Sequence, residues 1–375
     1  MAPRLSKGTS PDSGPDRAGL RADELSALVA DLTTYLSPAP ARPHPWCAGA
    51  VVLAGRGHTV ALHEAVGWAV RHASYESELP RDQWVPMRPD TVFDLASLTK
   101  LFTAVVAASV DAVGPDEPVV SYVPEFGAAG KRGITVRQLL DHTSGLRAEL
   151  PFYDCPDAAA RARLLWSEAP VAEPGTVRIY SDLNLIALQH VLERATGEAL
   201  DALVREHVTD PLGMYDTRFN PPASWLPRIA ATEDQRRPWG RLDRGLLRGV
   251  VHDENAYAMG GVAGHAGLFS TAWDLALFCR ALLDGDGPYG ARNGFLGFER
   301  DQPWFMGELA GRGAVGHTGF TGTSLVLDPA TDSFLVLLAN SVHPCRTWRD
   351  GSAIRAGAAT RLARAQRKMP VWPSE

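Results

Sequence analysis

The chain has 375 residues, 45% of them apolar, which is enough to bury a sizeable core, and at roughly 150 residues per domain it suggests two domains. A net charge of −6 without any extended basic block argues against nucleic acid as a partner. Four cysteines, Cys47, Cys155, Cys279 and Cys345, stand far apart with no C-x-x-C pair, so they read as buried thiols and not as a zinc knuckle or redox couple. The first residues lack the apolar segment of a secretory signal, and no later run approaches the roughly 18 apolar residues of a membrane span. The expectation is a soluble, cytoplasmic protein without a membrane partner.

In chain order, residues 1–20 are rich in Ser, Pro, Gly and charge and are expected to be disordered. Leu25, Leu28, Val29, Leu32 and Leu36 follow at helical spacing, and Pro38 and Pro40 stop that helix. Residues 48–54 and 59–70 are β-branched and apolar around Gly55-Arg56-Gly57, a hairpin signal. From 91 to 304 the pattern is mainly helical, with helices expected over 134–140, 182–195, 201–208 and 271–283 and a Pro-, Gly- and Arg-rich stretch over 219–269 that lines or covers a site. Strands over 316–327 and 334–339 flank the turn formers 328–332, and a last helix covers 351–366. The economical assembly is a discontinuous α/β domain from 21–90 and 305–367, with the helical domain 91–304 inserted and a cleft between the two.

Three stretches carry chemistry. Ser97 and Lys100 stand three apart at the head of a helix, so hydroxyl and amine share one face. A serine needs an adjacent base to become a nucleophile, and a desolvated lysine can serve as one. The same spacing also fits a capped helix in which Ser97 bonds backbone and Lys100 snorkels. Tyr180 directly precedes a helix, where its phenol can point into a cleft. His317 begins a strand between glycines, whose missing side chains let a substrate lie against the backbone and whose strand amides can face an oxyanion.

Residues 94–100, 180–184 and 316–322, in that order, resemble the three motifs of the serine β-lactamase and penicillin-binding-protein superfamily. The likeness is to its class C-like branch of esterases, D-aminopeptidases, D,D-peptidases and transacylases. It extends to residues 139–146, 251–256 and 267–270 and covers nearly all of 22–366. The resemblance implies a β-lactamase/transpeptidase-like fold, α/β plus all-α, with an antiparallel sheet flanked by N- and C-terminal helices and an inserted helical domain. It implies Ser97 as nucleophile, with Lys100 taking its proton directly or through Tyr180. Tyr180 would protonate the leaving group and later activate the acceptor, and the amides of Ser97 and Phe320 would form the oxyanion hole. Phe320 would do so because it follows His317, Thr318 and Gly319 on the strand.

Two residues depart from that pattern. His317 stands where the related motif has a permanently charged lysine, and a histidine is mostly neutral at pH 7 unless a partner raises its pKa. Asp182 stands where the related motif has an amide, and its carboxylate could keep Lys100 protonated and shift the base role to Tyr180. His252, next to Asp253, either orders a loop by the cleft or contacts substrate. His142, His252, His265 and His343 lack any H-E-x-x-H spacing, so neither metal nor cofactor is expected, and Ser144 reads as a helix C-terminal turn.

The leading functional expectation is an acyl-enzyme catalyst on a small ester or amide, a hydrolase or a transacylase passing the acyl group to an amine or alcohol, in a role such as secondary metabolism. With His317 neutral, uncharged esters should be preferred to penicillins. The alternatives are a D,D-peptidase or β-lactamase acting on cell-wall peptides or β-lactams, and a non-catalytic sensor or binder on the same fold. The oligomeric state is left open.

Overall fold

The computed structural model describes residues 5–7, 13–285, 295–349 and 351–366. Its main sheet contains β1 (Ser6–Lys7), β2 (Gly49–Arg56), β3 (Thr59–Val70), β4 (Glu299–Arg300), β5 (Val315–Thr318), β6 (Ser324–Asp328) and β7 (Ser333–Ala339), in the order β1-β3-β2-β7-β6-β5-β4. Residues Val85–Pro86 also pair with β3. All pairs are antiparallel except the edge pair β1–β3. The two ends of the chain meet in its centre, where β2 pairs with β7 from Ala50↔Ala339 to Arg56↔Ser333.

Both faces of these central strands are covered, which is why they are apolar at every position rather than at alternate ones. Val52, Ala54, Leu335 and Leu337 face a layer made by α1 (Ser13–Ala18), α2 (Ala22–Thr34) and the last helix, which supply Leu25, Leu28, Leu32, Ile354 and Leu362. Val51, Leu53, Phe334, Val336 and Leu338 face the opposite way, into the core shared with α3 (Thr99–Ser109), α4 (Asp182–Thr196) and α5 (Ala272–Asp284). There Phe102 of α3 stacks on Phe278 of α5 with ring centroids 4.4 Å apart. The last helix is α6 (Ala353–Ala365), and none of the helices among the described residues is long and apolar enough to cross a membrane.

Three expectations change. Residues 1–4 and 8–12 lie outside the described residues, but 13–20, expected to be disordered, form α1 and a turn that buries Ala18 and Leu20. Gly14 permits this because a side chain there would meet the Ala61 carbonyl of β3 at 3.3 Å. The chain rejoins the sheet at Glu299, not at 305, through a two-residue strand too short and polar to show alternation. The single strand expected over 316–327 is two strands, β5 and β6, folded back at residues 319–323.

Candidate active site

The nucleophile turn is built before the helix that carries it. Phe93–Asp94 pairs with Leu268–Ser270, and the chain then bends sharply at Ala96, a non-glycine residue at φ 46°. Such a left-handed residue costs roughly 1–2 kcal/mol, and Asp94 holds it in place. One carboxylate oxygen of Asp94 accepts the Ala96 amide at 2.8 Å and the other accepts the His252 amide at 2.6 Å. From the facing turn, Thr321 and Thr323 donate their hydroxyls to the carbonyls of Asp94 and Leu95 at 2.7 and 3.0 Å. Gly319 is required by this clasp, since a Cβ there would lie 2.3 Å from the Leu95 carbonyl. The glycine is thus needed for contact between the two turns, whatever it also offers a substrate from the cavity wall.

Ser97 follows, and Lys100, one turn further on, is 2% exposed and places its amine 2.8 Å from the Ser97 hydroxyl oxygen. The ammonium also donates to the His265 carbonyl at 3.3 Å and lies 2.8 Å from Asp182 Oδ1. At that distance the ammonium and the Asp182 carboxylate form a close charge pair. Burial works against the lysine's charge, but Asp182 and Tyr180 outweigh it and hold the amine above its ordinary range.

Tyr180 precedes α4, with Lys100 Nζ 4.9 Å from its ring centre. Its ring is open to the cavity while its hydroxyl lies deep beside Ser97 and Lys100. Burial raises the phenol above its ordinary value against the pull of Lys100. The Tyr180 loop is fastened by His142, whose Nδ1 accepts from the Ser181 amide and the Asn184 side chain, both at 3.1 Å. Ser144 donates to Asn184 Oδ1 at 2.5 Å, which makes it a buried strut rather than only a helix-ending turn. Burial, helped by Lys100 and Arg178, pushes His142 down to about 2, so it remains a neutral acceptor.

His317 on β5 is 3% exposed, and its Nδ1–H donates to the Thr318 carbonyl at 2.8 Å. Burial and then the Lys100 charge push it down to about 3, so it brings no cation to the site. Phe320 lies in the turn after β5, not on a strand, and neither its amide nor that of Ser97 donates to a backbone acceptor among the described residues. That leaves both amides able to face a developing oxyanion. Ser97, Tyr180, His317, Thr318, Gly319 and Phe320 line one cavity of about 610 Å³, together with Arg178, Trp304, Arg349 and Arg355.

His252, like Lys100 and Asp182, is not among the residues that line that cavity. It is 2% exposed, and its Nε2 bonds Glu233 at 2.9 Å beneath the Phe320 ring, whose centroid is 5.5 Å from its own. Arg346 holds the same carboxylate at 2.6 Å and Glu254 at 2.7 Å. Burial opposes the ionisation of Glu233, but His252 and Arg346 overcome this and lower it from 4.5 to about 2. A carboxylate with a depressed folded-state pKa stabilises the fold above its unfolded value and ceases to do so as pH falls through the folded one. Thermal stability should therefore drop as pH falls from 4.5 towards 2, by on the order of 3 kcal/mol from this group. Glu233→Gln should melt lower at pH 7 and show a shallower acid slope; parallel Tm–pH curves would refute the assignment.

Sequence reasoning missed Asp94, although an aspartate two residues before a turn amide is an Asx-turn signal. It also missed Arg349 and Arg355, which no local pattern distinguishes from surface arginines. Asp182, Asp253 and His265 could be read as a metal-binding group, since their donor atoms lie within 4.8 Å of one another. The Lys100 ammonium already sits against Asp182, and His265 Nε2 is bonded to Asp253 at 2.9 Å, so a second cation would meet repulsion there.

Residues 39–359 match the family described as Beta-lactamase. A relative in Escherichia coli (strain K12), provisionally named a D-alanyl-D-alanine carboxypeptidase, is 30% identical over 88% of this chain and 86% of its own. Another, in Bacillus subtilis (strain 168), is named an N-acetylmuramyl-L-alanine amidase and is 30% identical over 79% of this chain and 77% of its own. Among solved structures, EstCE1, described as a hydrolase with promiscuous acyltransferase activity, superimposes with a TM-score of 0.67 at 21% identity, covering 91% of this chain and 98% of its own. A class C beta-lactamase matches with the same TM-score at 17% identity, covering 91% and 96%.

Proposed function

The chain belongs to the beta-lactamase family, and from that premise we propose that it is a serine hydrolase that forms an acyl-enzyme on Ser97 from an amide or ester carrying a carboxylate. The observation that carries this reading is the 2.8 Å contact between Lys100 Nζ and Ser97 Oγ at the floor of an open cavity, with the Tyr180 hydroxyl beside both. Ser97 attacks the carbonyl carbon, the amides of Ser97 and Phe320 receive the oxyanion, and Tyr180 passes a proton to the departing nitrogen or oxygen. A pure binder has no use for a nucleophile held this way. Water then completes hydrolysis. Transfer to an amine or alcohol would use the same residues, and the structural relative EstCE1 is described as a hydrolase with promiscuous acyltransferase activity.

The carboxylate preference replaces the expectation of uncharged esters, which weighed position 317 alone. His317 is neutral, but Arg355 is 5% exposed, lines the cavity, and has no carboxylate partner among the described residues. Arg349 lines the same wall, bonded to the Phe320 carbonyl. Burial, then the neighbouring Arg349, pushes Arg355 down to about 9, so it stays charged at pH 7. The names of the two curated relatives point to amide bonds, and a carboxypeptidase substrate ends in a carboxylate.

The test compares peptide-like substrates with their C-terminal methyl esters. Charge-assisted hydrogen bonds contribute about 1.5–3 kcal/mol, so kcat/KM should favour the free acid by roughly tenfold to a hundredfold, chiefly through KM. Arg349→Gln should remove most of that preference. No discrimination by the wild type would refute the anionic substrate, while fluorophosphonate labelling of Ser97 would still decide the acyl-enzyme reading.

A further inference from the structure

We propose that Asp182 is the final acceptor of the proton that leaves Ser97, with Lys100 as the conduit, so that the base of acylation is a Lys100–Asp182 pair and not a free amine or the phenol. This rests on the acyl-enzyme reading above and assigns its proton path.

Lys100 is matched as an ammonium on every side. Its own turn offers the Ser97 hydroxyl at 2.8 Å, the start of α4 offers Asp182 at 2.8 Å and Tyr180, and the 253–265 segment offers the His265 carbonyl at 3.3 Å. Asp253 feels its charge from the same segment, and that charge adds to the burial that keeps the rings of His142 and His317 neutral. An ammonium has no lone pair, so it cannot take a proton from Ser97 until it gives one up. Tyr180 must likewise lose its proton before it can act as a base.

One carboxylate, Asp182, touches the ammonium, and a second, Asp253, feels its charge from further off. Asp253 Oδ1 is committed to His265 Nε2 at 2.9 Å and to the Ala256 amide at 2.7 Å. Asp182 Oδ1 faces Lys100 at 2.8 Å with no other hydrogen-bond partner among the described residues, and the Asp182 side chain is 21% exposed where that of Lys100 is 2% exposed.

The step then balances. Lys100 gives a proton to Asp182 Oδ1 and takes one from Ser97 Oγ as the bond from Oγ to the acyl carbon forms. The tetrahedral oxyanion holds the negative charge that Asp182 has lost. On collapse the bond from carbon to the leaving atom breaks, and Tyr180 protonates that atom. Tyr180 is reprotonated by Lys100 and Lys100 by Asp182, so the site returns to its starting charges and the leaving group carries one proton away.

The experiment follows pre-steady-state release of p-nitrophenol from a p-nitrophenyl ester between pH 4 and 10 at several temperatures. Mass spectrometry of the acylated protein first establishes Ser97 as the site; labelling elsewhere would reject the acyl-enzyme reading itself. With Ser97 acylated, the acid limb of the wild-type acylation rate should have an apparent pKa that barely moves with temperature, as carboxylates do. An acid limb that shifts strongly with temperature, as amines and imidazoles do, would overturn the relay. In Asp182→Asn the amine loses its counter-ion, so acylation at pH 6 should fall at least tenfold and recover with rising pH through a limb with an amine's temperature dependence. A variant with the wild-type rate and limb would overturn it as well. If that variant does not fold, the wild-type temperature series still decides.

Discussion

Ser97→Ala should yield a protein that melts with the wild type but no longer reacts with a fluorophosphonate, and whose kcat on a p-nitrophenyl ester is lower by on the order of 10⁴-fold or more. Stability should persist because the hydroxyl is only one of the acceptors around Lys100, which keeps Asp182 and the His265 carbonyl. The turn itself is held by Asp94, Thr321 and Thr323, none of which touches the deleted atom. The amides of Ser97 and Phe320 remain, so substrate should still bind with little change in Kd. Retention of more than a few per cent of turnover would move the nucleophile elsewhere.

Lys100 and Tyr180 should behave as one unit. Lys100→Met and Tyr180→Phe are each expected to lower kcat by about 10²–10⁴-fold, the range for loss of a proton-transfer group. The double variant should cost little more than the worse single, because each residue passes the same proton. Losses that multiply would mean that the two act independently, which the proton circuit through Ser97 does not allow. Lys100→Met should also unfold more easily, since removing one partner of a buried ion pair costs roughly 3–5 kcal/mol. Comparing Tm with kcat separates the two effects: Tyr180→Phe, whose ring stays in place, should lose rate and keep its Tm.

Local patterns were enough to read α2, the β2–β3 hairpin and α6, because each carries its periodicity within about a dozen residues. The fold of residues 316–327 was not legible in that way. Thr321 and Thr323 look like strand residues, yet their hydroxyls are used on carbonyls of Asp94 and Leu95, 227 and 228 positions away, and those bonds turn the chain. Of the two roles that the sequence leaves open for His252, its contacts with Glu233 and the Phe320 ring fit ordering of the loop by the cleft, which only the fold could show. Arg349 and Arg355 became visible only when the segment after β7 and the first turn of α6 closed one wall of the cavity.

The sequence by itself determined which groups can do chemistry here: a serine and a lysine on one helical face, a tyrosine before a second helix, a histidine in place of a lysine, and an aspartate in place of an amide. The tertiary structure decided the charge each of them carries and what it faces. Lys100 is held as an ammonium by Asp182 and Tyr180, His317 is kept neutral by burial and by Lys100, and the cation that position 317 lacks is supplied by Arg349 and Arg355. The division follows from the physics of ionisation, since a pKa depends on desolvation and on charges within a few ångströms. In this chain those neighbours come from segments tens to hundreds of residues apart, which only the closed fold brings together.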